Sequence, residues 1–163
     1  MLLLAGGSSR RFGSDKRVAP MKNGETLLNN TLRQIIASGL PLLVCLRGED
    51  HRIAATLESQ HIPYRLCQSA HNGMGATLAE GMAQLPPWQG VVIALADMPF
   101  IAPNTYASVA GALTRDAICL PTNDKGAGHP VGFGERWFGD LRQLEGDRGG
   151  SGIIGKNKKF VIE

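Results

Sequence analysis

Short apolar runs alternate with helical stretches along the whole chain of 163 residues, and this alternation limits the possible folds more than any other feature. Several runs are apolar at every position, which is typical of parallel strands covered on both faces. The predicted strands are residues 2–5, 42–46, 64–67, 91–96, 117–121, 131–133 and 160–162. The predicted helices are residues 26–38, 50–60, 74–85, 103–113 and 137–144. Strands that alternate with helices in this way indicate an α/β fold.

The order of these elements predicts a single α/β domain over residues 1–163, a three-layer sandwich around a doubly wound, mostly parallel sheet of the Rossmann-like kind. Contents of 43% hydrophobic and 19% charged residues fit a globular protein rather than a disordered one. Ligands of such sheets bind beyond the carboxyl ends of the strands. The positions where we therefore expect the site are those that follow Ala5, Leu46, Cys67 and Ala96.

Charge, hydropathy and cysteine content narrow the range of partners. The net charge of +3 is small and dispersed, so the sequence predicts no nucleic-acid partner. No apolar run approaches the roughly 20 residues of a membrane span, and no basic segment precedes the opening MLLLAGG as in a signal peptide. We therefore expect a cytoplasmic protein without membrane contact. Cys45, Cys67 and Cys119 lie in no metal-binding spacing, and we predict that they are buried, reduced thiols.

The loop after the first strand, residues 6–16, carries glycines, hydroxyls and cations together. Glycines let backbone N–H groups approach phosphate oxygens closely, and Ser9 adds a hydroxyl donor. Arg11 can bind phosphate through two parallel hydrogen bonds, and Lys16 supplies a compact cation. The Walker A and GxGxxG patterns are both absent. Taken alone, the loop fits either a phosphate site or a Gly/Ser surface loop with solvated cations.

A carboxylate follows the most apolar strand, where residues 91–96 end in Asp97-Met98-Pro99. Mg²⁺ prefers oxygen ligands and keeps several waters, so one carboxylate at a strand end suits it. Such an ion bridges triphosphate oxygens and neutralises the charge that develops as pyrophosphate leaves. The alternative is that Asp97 begins a turn or caps the helix that starts at Pro103. We predict that Asp97 is the ligand of Mg²⁺.

Three later segments have two interpretations each. Residues 72–81 predict a glycine-rich helix start. In one interpretation its free N–H groups face a ligand, and in the other its glycines allow the helix to pack closely. His129 in residues 128–133 either shapes the site or packs elsewhere, and Asp147 either contacts an acceptor or lies in a surface turn. The residues alone do not separate these interpretations.

Taken in order, the segments resemble the signature blocks of the nucleotidyltransferases related to molybdenum-cofactor guanylyl- and cytidylyltransferases. The first loop matches that family's G-x-S-x-R-[MF]-G-x-x-K block at Gly7, Ser9, Arg11, Phe12, Gly13 and Lys16. Residues 24–28 resemble its second block, and Asp97 stands in its ADMP block. Thr77 fills the Ser/Thr place of a GMG-x-[ST]-L block, while His129 and Asp147 stand in GHPV-x-F and L-x-G-D-x-G blocks.

The resemblance implies roles for particular residues. It implies nucleotide binding by Ala5, Gly6, Gly7, Ser9, Arg11, Gly13, Lys16, Gly73, Gly75 and Thr77. It implies catalytic roles for Arg11, Lys16 and Asp97, with Mg²⁺ on Asp97. The acceptor-binding residues it implies are His129 and Asp147.

The reaction implied is transfer of a nucleotidyl group from an NTP to a phosphorylated acceptor with release of pyrophosphate. The GMGATL and GHPVGF blocks favour CTP, the LAGG spelling keeps GTP open, and molybdopterin is the expected acceptor. A molybdoenzyme or its chaperone is then the expected protein partner. The family continues after the last strand into an Asp- and Thr-containing segment with no matching position here, which keeps a noncatalytic nucleotide- or molybdopterin-binding chaperone open. A sugar-phosphate nucleotidyltransferase, which shares the first loop, is a third interpretation.

Overall fold

The structure is a computed structural model that describes residues 1–7, 15–124 and 126–162. The strands are β1 Leu2–Leu4, β2 Leu43–Arg47, β3 Tyr64–Cys67, β4 Gly90–Leu95, β5 Ile118–Cys119, β6 Thr122–Asn123, β7 Gly126–Ala127, β8 Val131–Gly134 and β9 Val161–Ile162. The α-helices are α1 Leu27–Ala37, α2 His51–Ser59, α3 Met74–Ala83, α4 Pro103–Gly111, α5 Phe138–Arg142 and α6 Ser151–Lys156. Shorter 3-10 helices cover Lys16–Val18, Gln68–Asn72, Glu135–Trp137 and Lys158–Phe160.

Within the described residues, seven strands form the main sheet in the order β3-β2-β1-β4-β8-β5-β9. Strand β8 pairs antiparallel with both β4 and β5, whereas the other pairs are parallel. The predicted doubly wound, mostly parallel sheet is therefore confirmed. The chain builds outward from β1 on one side through β2 and β3, then returns to place β4 on the other side. This reversal leaves a crevice between the carboxyl ends of β1 and β4, where such sheets bind ligands.

Alternating side chains of the strands feed two buried clusters, one on each face of the sheet. Leu3 of β1 packs in the first cluster, and its neighbours Leu2 and Leu4 pack in the second. Helices α1, α2 and α4 cover the first face, while α3, α5 and α6 cover the second. Each fully buried leucine contributes on the order of 1.5–3 kcal/mol. The three-layer arrangement thus follows from strands that are apolar on both sides.

Some boundaries differ from the sequence prediction. The strand predicted at residues 117–121 is limited to Ile118–Cys119, and the predicted helix at 137–144 is shortened to Phe138–Arg142. Helix α6 was not predicted, because its glycines have low helix propensity and it is held against the sheet by the packing of Ile153 and Ile154. The two-residue strands β6 and β7 are too short to produce a periodic signal.

The cysteines agree with the prediction, since Cys45, Cys67 and Cys119 are all buried and all free of disulfide bonds. Among the described residues, the helices are all too short or too polar to cross a membrane.

Candidate functional site

A cleft of about 550 Å³ opens at the carboxyl ends of β1 and β4, where the topology places it. Predicted nucleotide-binding residues that line it are Ala5, Gly6, Gly7, Lys16, Gly73 and Thr77. The predicted metal ligand Asp97 and the predicted acceptor residue Asp147 line the same cleft. The fold therefore brings together segments that follow three different strands of the sheet, β1, β3 and β4.

The remaining predicted residues fall into two groups. Ser9, Arg11 and Gly13 lie outside the residues that the structure describes, so their roles stay predictions. Gly75 and His129 are described, but neither belongs to the lining of the cleft.

Helix α1 fixes the backbone on both sides of Asp97. The Thr31 hydroxyl donates to the carbonyl of Ala96 at 3.1 Å, and the Asn30 amide donates to the carbonyl of Pro99 at 2.8 Å. Both polar side chains are buried, with 0% of Thr31 and 4% of Asn30 exposed. Asp97 itself is exposed at the end of β4. Its carboxylate is thus presented to the cleft on a backbone that is anchored at either side.

Sequence reasoning missed Asn30 and Thr31, although a signal was present. They stand side by side in a helix whose apolar face carries Leu28, Leu32 and Ile35. Polar side chains on the buried face of a helix need hydrogen-bond partners inside the protein. Their partners are 69 and 65 positions away in the sequence, so the signal indicates a buried hydrogen bond without identifying its acceptor.

Gly6 allows α3 to approach the first strand end. A Cβ atom at this position would lie 2.9 Å from Cγ2 of Thr77 and 3.3 Å from Cβ of Ala70. Thr77 is buried, and its hydroxyl donates to the carbonyl of Gly73 at 3.0 Å. The start of α3 therefore forms the side of the cleft directly beside Gly6.

The start of α3 is capped by the protein's own backbone. The amides of Gly75 and Ala76 donate to the carbonyl of Gly146 at 2.8 and 3.3 Å. The prediction that this helix start offers its N–H groups to a ligand is therefore wrong for these two residues. A Cβ at Gly75 would lie 2.3 Å from the carbonyl oxygen of Arg148, so this glycine serves close packing.

Asp147 reaches the cleft through the same loop. A Cβ atom built on Gly73 would lie 2.3 Å from Oδ1 of Asp147, so the carboxylate rests against the glycine. Gly73 has φ +119°, a conformation that favours glycine over residues with a side chain. The capping of α3 by Gly146 thus also sets the position of the neighbouring Asp147.

His129 lies at the edge of this region, next to the start of β8. Burial lowers the pKa of its imidazole, while a backbone hydrogen bond at Ile93 and the negative charge of Asp97 oppose the shift. The ring is therefore neutral at pH 7. Its Nδ1 atom is buried and has no hydrogen-bond partner within the described part of the chain.

The carboxylates of the cleft suit a cation shared with a ligand. Asp97 and Asp147 both line it. No group of three or more His, Cys, Asp or Glu side chains that could hold a metal occurs among the described residues. Mg²⁺ typically binds one or two carboxylates, several waters and the phosphates of the substrate. The donor set fits an ion that arrives with a nucleotide rather than a metal caged by protein ligands.

Comparison with known proteins finds several that are similar in sequence to this chain. The sequence profile of the family described as the MobA-like NTP transferase domain matches residues 1–160. The purine catabolism protein PucB of Bacillus subtilis (strain 168) is 26% identical over 166 residues, which cover 94% of this chain and 78% of PucB. A molybdenum cofactor guanylyltransferase of Rhizobium leguminosarum bv. trifolii (strain WSM2304) is 33% identical over 131 residues, which cover 80% of this chain and 59% of that protein.

Comparison with solved structures finds chains with the same fold. The crystal structure of Rv0371c from Mycobacterium tuberculosis H37Rv has a TM-score of 0.84 and 26% identity, and the match covers 98% of this chain and 83% of that one. A structure of the same protein in complex with manganese has a TM-score of 0.80 and 25% identity, with the same coverage of both chains.

Proposed function

Because this chain belongs to the MobA-like NTP transferase domain family, we propose that it transfers a cytidylyl or guanylyl group from the NTP to a phosphorylated, molybdopterin-type acceptor. The chain is a nucleotidyltransferase whose donor is an NTP. One observation carries the finer proposal: the cleft at the strand reversal brings Lys16, Asp97 and Asp147 to a single opening.

The described residues have separate tasks in this reaction. Lys16 binds the triphosphate and offsets the negative charge that grows on the leaving pyrophosphate. Asp97 would hold Mg²⁺, which would supply positive charge to offset the negative charge that develops during the transfer. Asp147, which lines the same cleft beside Gly73, orients the acceptor. Arg11 and the amides of the loop contribute further phosphate contacts.

The chemistry needs positioning more than a strong base. An oxygen of the acceptor phosphate attacks the α-phosphorus of the NTP, and the bond from that phosphorus to the bridging β-phosphate oxygen breaks. Pyrophosphate leaves with the electron pair of that bond. The attacking phosphate is already ionised at pH 7, so His129 has no proton to remove, and its neutral ring fits a role in shaping the site. Catalysis then comes from alignment and charge neutralisation.

The choice of donor and acceptor rests on two supports. A relative named molybdenum cofactor guanylyltransferase supports a molybdopterin-type acceptor and GTP. The GMGATL and GHPVGF blocks favour CTP. We place CTP first and GTP second. A manganese complex of a structural neighbour supports use of a divalent ion.

A pyrophosphate-release assay with each of the four NTPs, with and without molybdopterin and with and without Mg²⁺, tests the proposal. We expect release with CTP or GTP only when molybdopterin and Mg²⁺ are both present. Mg²⁺-dependent NTP binding without pyrophosphate under any condition would instead identify a noncatalytic binding protein. Turnover with sugar 1-phosphates but not with molybdopterin would identify a sugar-phosphate nucleotidyltransferase.

A further inference from the structure

Four charged side chains, Asp15, Arg17, Arg47 and Asp50, form a charge cluster beside the cleft. Asp15 and Arg17 stand on either side of Lys16, the last residue of the predicted phosphate-binding segment, residues 6–16. Arg47 ends β2, and Asp50 immediately precedes α2. Only 4% of the Arg17 side chain and 9% of the Asp50 side chain are exposed. The charge cluster thus joins the end of this segment to the turn between β2 and α2.

Arg17 uses all of its hydrogen-bond donors inside the protein. Its Nε donates to Oδ1 of Asp15 at 2.9 Å, and its Nη2 donates to Asp15 at 2.5 Å and to Asp50 at 2.8 Å. Its Nη1 donates to Asp50 and, at 2.6 Å, to the carbonyl of Ala5. A guanidinium has five N–H donors, and these five contacts engage every one. Although Arg17 borders the cleft, it has no donor left for a phosphate.

Arg47 makes the matching contact on the other side of the charge cluster. Its Nη2 donates to the carbonyl of Gly7 at 2.6 Å and lies 3.9 Å from Oδ2 of Asp15. Its backbone amide donates to the carboxylate of Asp50 at 2.9 Å. The two arginines therefore bind the carbonyls of Ala5 and Gly7, which lie at the start of the predicted phosphate-binding segment. Carbonyls held in this way cannot turn towards an anionic triphosphate.

The charges of the cluster balance each other, with two carboxylates for two guanidinium groups. Hydrogen bonds from Arg17 hold the pKa of Asp15 below its usual value, although burial opposes the shift. Burial lowers the pKa of Arg17, but its hydrogen bonds to Asp50 and Asp15 outweigh this effect and raise it. Lys16, the residue between Asp15 and Arg17, lines the cleft.

We propose that the charge cluster sets the positions of Ala5, Gly7 and Lys16 in the cleft lining, with Arg17 and Arg47 as positioning residues that do not touch the nucleotide. This inference rests on the proposed function, because it assigns the segment to triphosphate binding. Ala5 and Gly7 near the start of the segment and Asp15 and Arg17 near its end meet in this cluster, and Asp50 ties it to β2 through the amide of Arg47. Loss of either arginine therefore releases one end of the segment, while the charged groups of Lys16 and Asp97 are retained.

Substitution of each arginine in the full-length protein tests the proposal. Arg17→Met removes the contact to Ala5, and Arg47→Met removes the contact to Gly7 while leaving Arg17 with both of its carboxylates. For each variant, isothermal titration calorimetry with CTP and GTP in the presence of Mg²⁺ gives Kd, and pyrophosphate release gives kcat and KM. We expect Kd and KM for the NTP to rise by up to about 10²-fold, with a much smaller change in kcat. The reason is that misplaced phosphate-binding groups weaken binding of the NTP equally in the ground state and in the transition state.

Two further variants complete the design. Arg17→Lys keeps the charge but supplies three N–H donors in place of five and no planar fork, so we expect only partial recovery of NTP affinity. Arg136→Met removes an equally long side chain from an exposed pair with Asp116, 3.5 Å away. Arg136 is not among the residues that line the cleft, so this variant should leave Kd unchanged. Thermal unfolding of each protein separates lost affinity from lost folding. If Arg17→Met does not fold, Arg47→Met carries the test.

The outcomes distinguish this inference from the function beneath it. If the wild-type protein binds neither CTP nor GTP, the proposed function fails and the inference fails with it. If the wild-type protein binds an NTP and folded Arg47→Met or Arg17→Met binds it equally well, only the inference is overturned. A fall in kcat at unchanged Kd would also overturn it, since that pattern belongs to a residue that acts on the transition state alone.

Discussion

At the scale of single residues, the site depends on small or buried groups that hold the reacting ones. Gly6 leaves room for Thr77, and Thr31 anchors the backbone before Asp97. Lys16 and Asp97 are then presented to the cleft by backbone that cannot shift freely. Substitutions of these two charged residues should therefore change chemistry without changing the fold, and they test the assigned roles directly.

Lys16→Ala should weaken triphosphate binding and turnover by roughly 10²–10³-fold, the typical effect of one lost electrostatic contact in an active site. The measurement is kcat/KM for pyrophosphate release with the preferred NTP. Lys22→Ala is a matched control, because Lys22 is an exposed lysine in the turn that follows. Equal activity of the two variants would show that Lys16 does not bind the triphosphate.

Asp97→Asn should abolish the stimulation of pyrophosphate release by Mg²⁺, because an amide oxygen without charge binds a hard cation far more weakly than a carboxylate. The measurement is the initial rate as a function of Mg²⁺ concentration. Asp140→Asn, at an exposed position of α5, should retain the wild-type Mg²⁺ response. The metal assignment is wrong if the Asp97 variant keeps both its activity and its response to Mg²⁺.

At the scale of elements, the cleft depends on how α3 meets the loop over residues 145–148. The carbonyl of Gly146 takes the place of a capping side chain for the amides of Gly75 and Ala76. An uncapped helix start leaves backbone donors without partners. The contact therefore stabilises α3 and positions Asp147 through the same few atoms.

Gly75→Ala should destabilise the protein by about 1–3 kcal/mol, because the added methyl group would lie 2.3 Å from the carbonyl oxygen of Arg148 and force the loop outward. Urea unfolding gives the change in free energy. Gly152→Ala in α6 is the matched control, since a Cβ there meets nothing within 4 Å. That variant should instead be neutral or more stable by up to about 1 kcal/mol, as alanine favours a helix over glycine. Equal effects at the two sites would refute the packing role of Gly75.

At the scale of the whole molecule, two carboxylates, Asp15 and Glu80, make the stability of the fold depend on pH. Hydrogen bonds from Arg17 lower the pKa of Asp15 against the effect of burial. For Glu80, burial raises the pKa, but hydrogen bonds from Ser69 and the amide of Gln68 outweigh it and lower the pKa overall. Both groups are therefore stronger acids in the folded chain than in the unfolded one.

Stability should fall in acid as a result. The unfolded chain takes up protons near the ordinary pKa values of 3.8 for Asp15 and 4.5 for Glu80, before the folded chain does. The contribution of both groups to the free energy of unfolding is thus complete above these values. It declines as the pH falls through the lower pKa values of the folded state. Urea unfolding between about pH 7 and about pH 3 measures the decline. A double variant, Asp15→Asn with Glu80→Gln, should be less stable at pH 7 and should lose less stability on acidification. If the variant loses as much stability as the wild type, other groups cause the decline.

Much of the fold could be predicted from the sequence because its signals are local. Runs such as residues 91–96 are apolar on both faces, and this property alone indicates a buried parallel strand with helices on either side. The rule that ligands bind at the carboxyl ends of such strands then located the cleft near Gly6 and Asp97. The short strands β6 and β7 and the glycine-containing α6 gave no such signal, since neighbouring elements rather than their own residues stabilise them.

The sequence by itself therefore determined the α/β architecture, the position of the cleft, and the presence of Lys16 and Asp97 in its lining. Only the tertiary structure decided which distant residues support them. Arg17 meets Asp50 across 33 positions, and the amide of Gly75 in the middle of the chain is capped by Gly146 from its C-terminal part. An arginine or a glycine has the same identity in the sequence whether it binds a ligand or supports a loop. What distinguishes the two is the set of acceptors within hydrogen-bond distance, and that set exists only once the chain has folded.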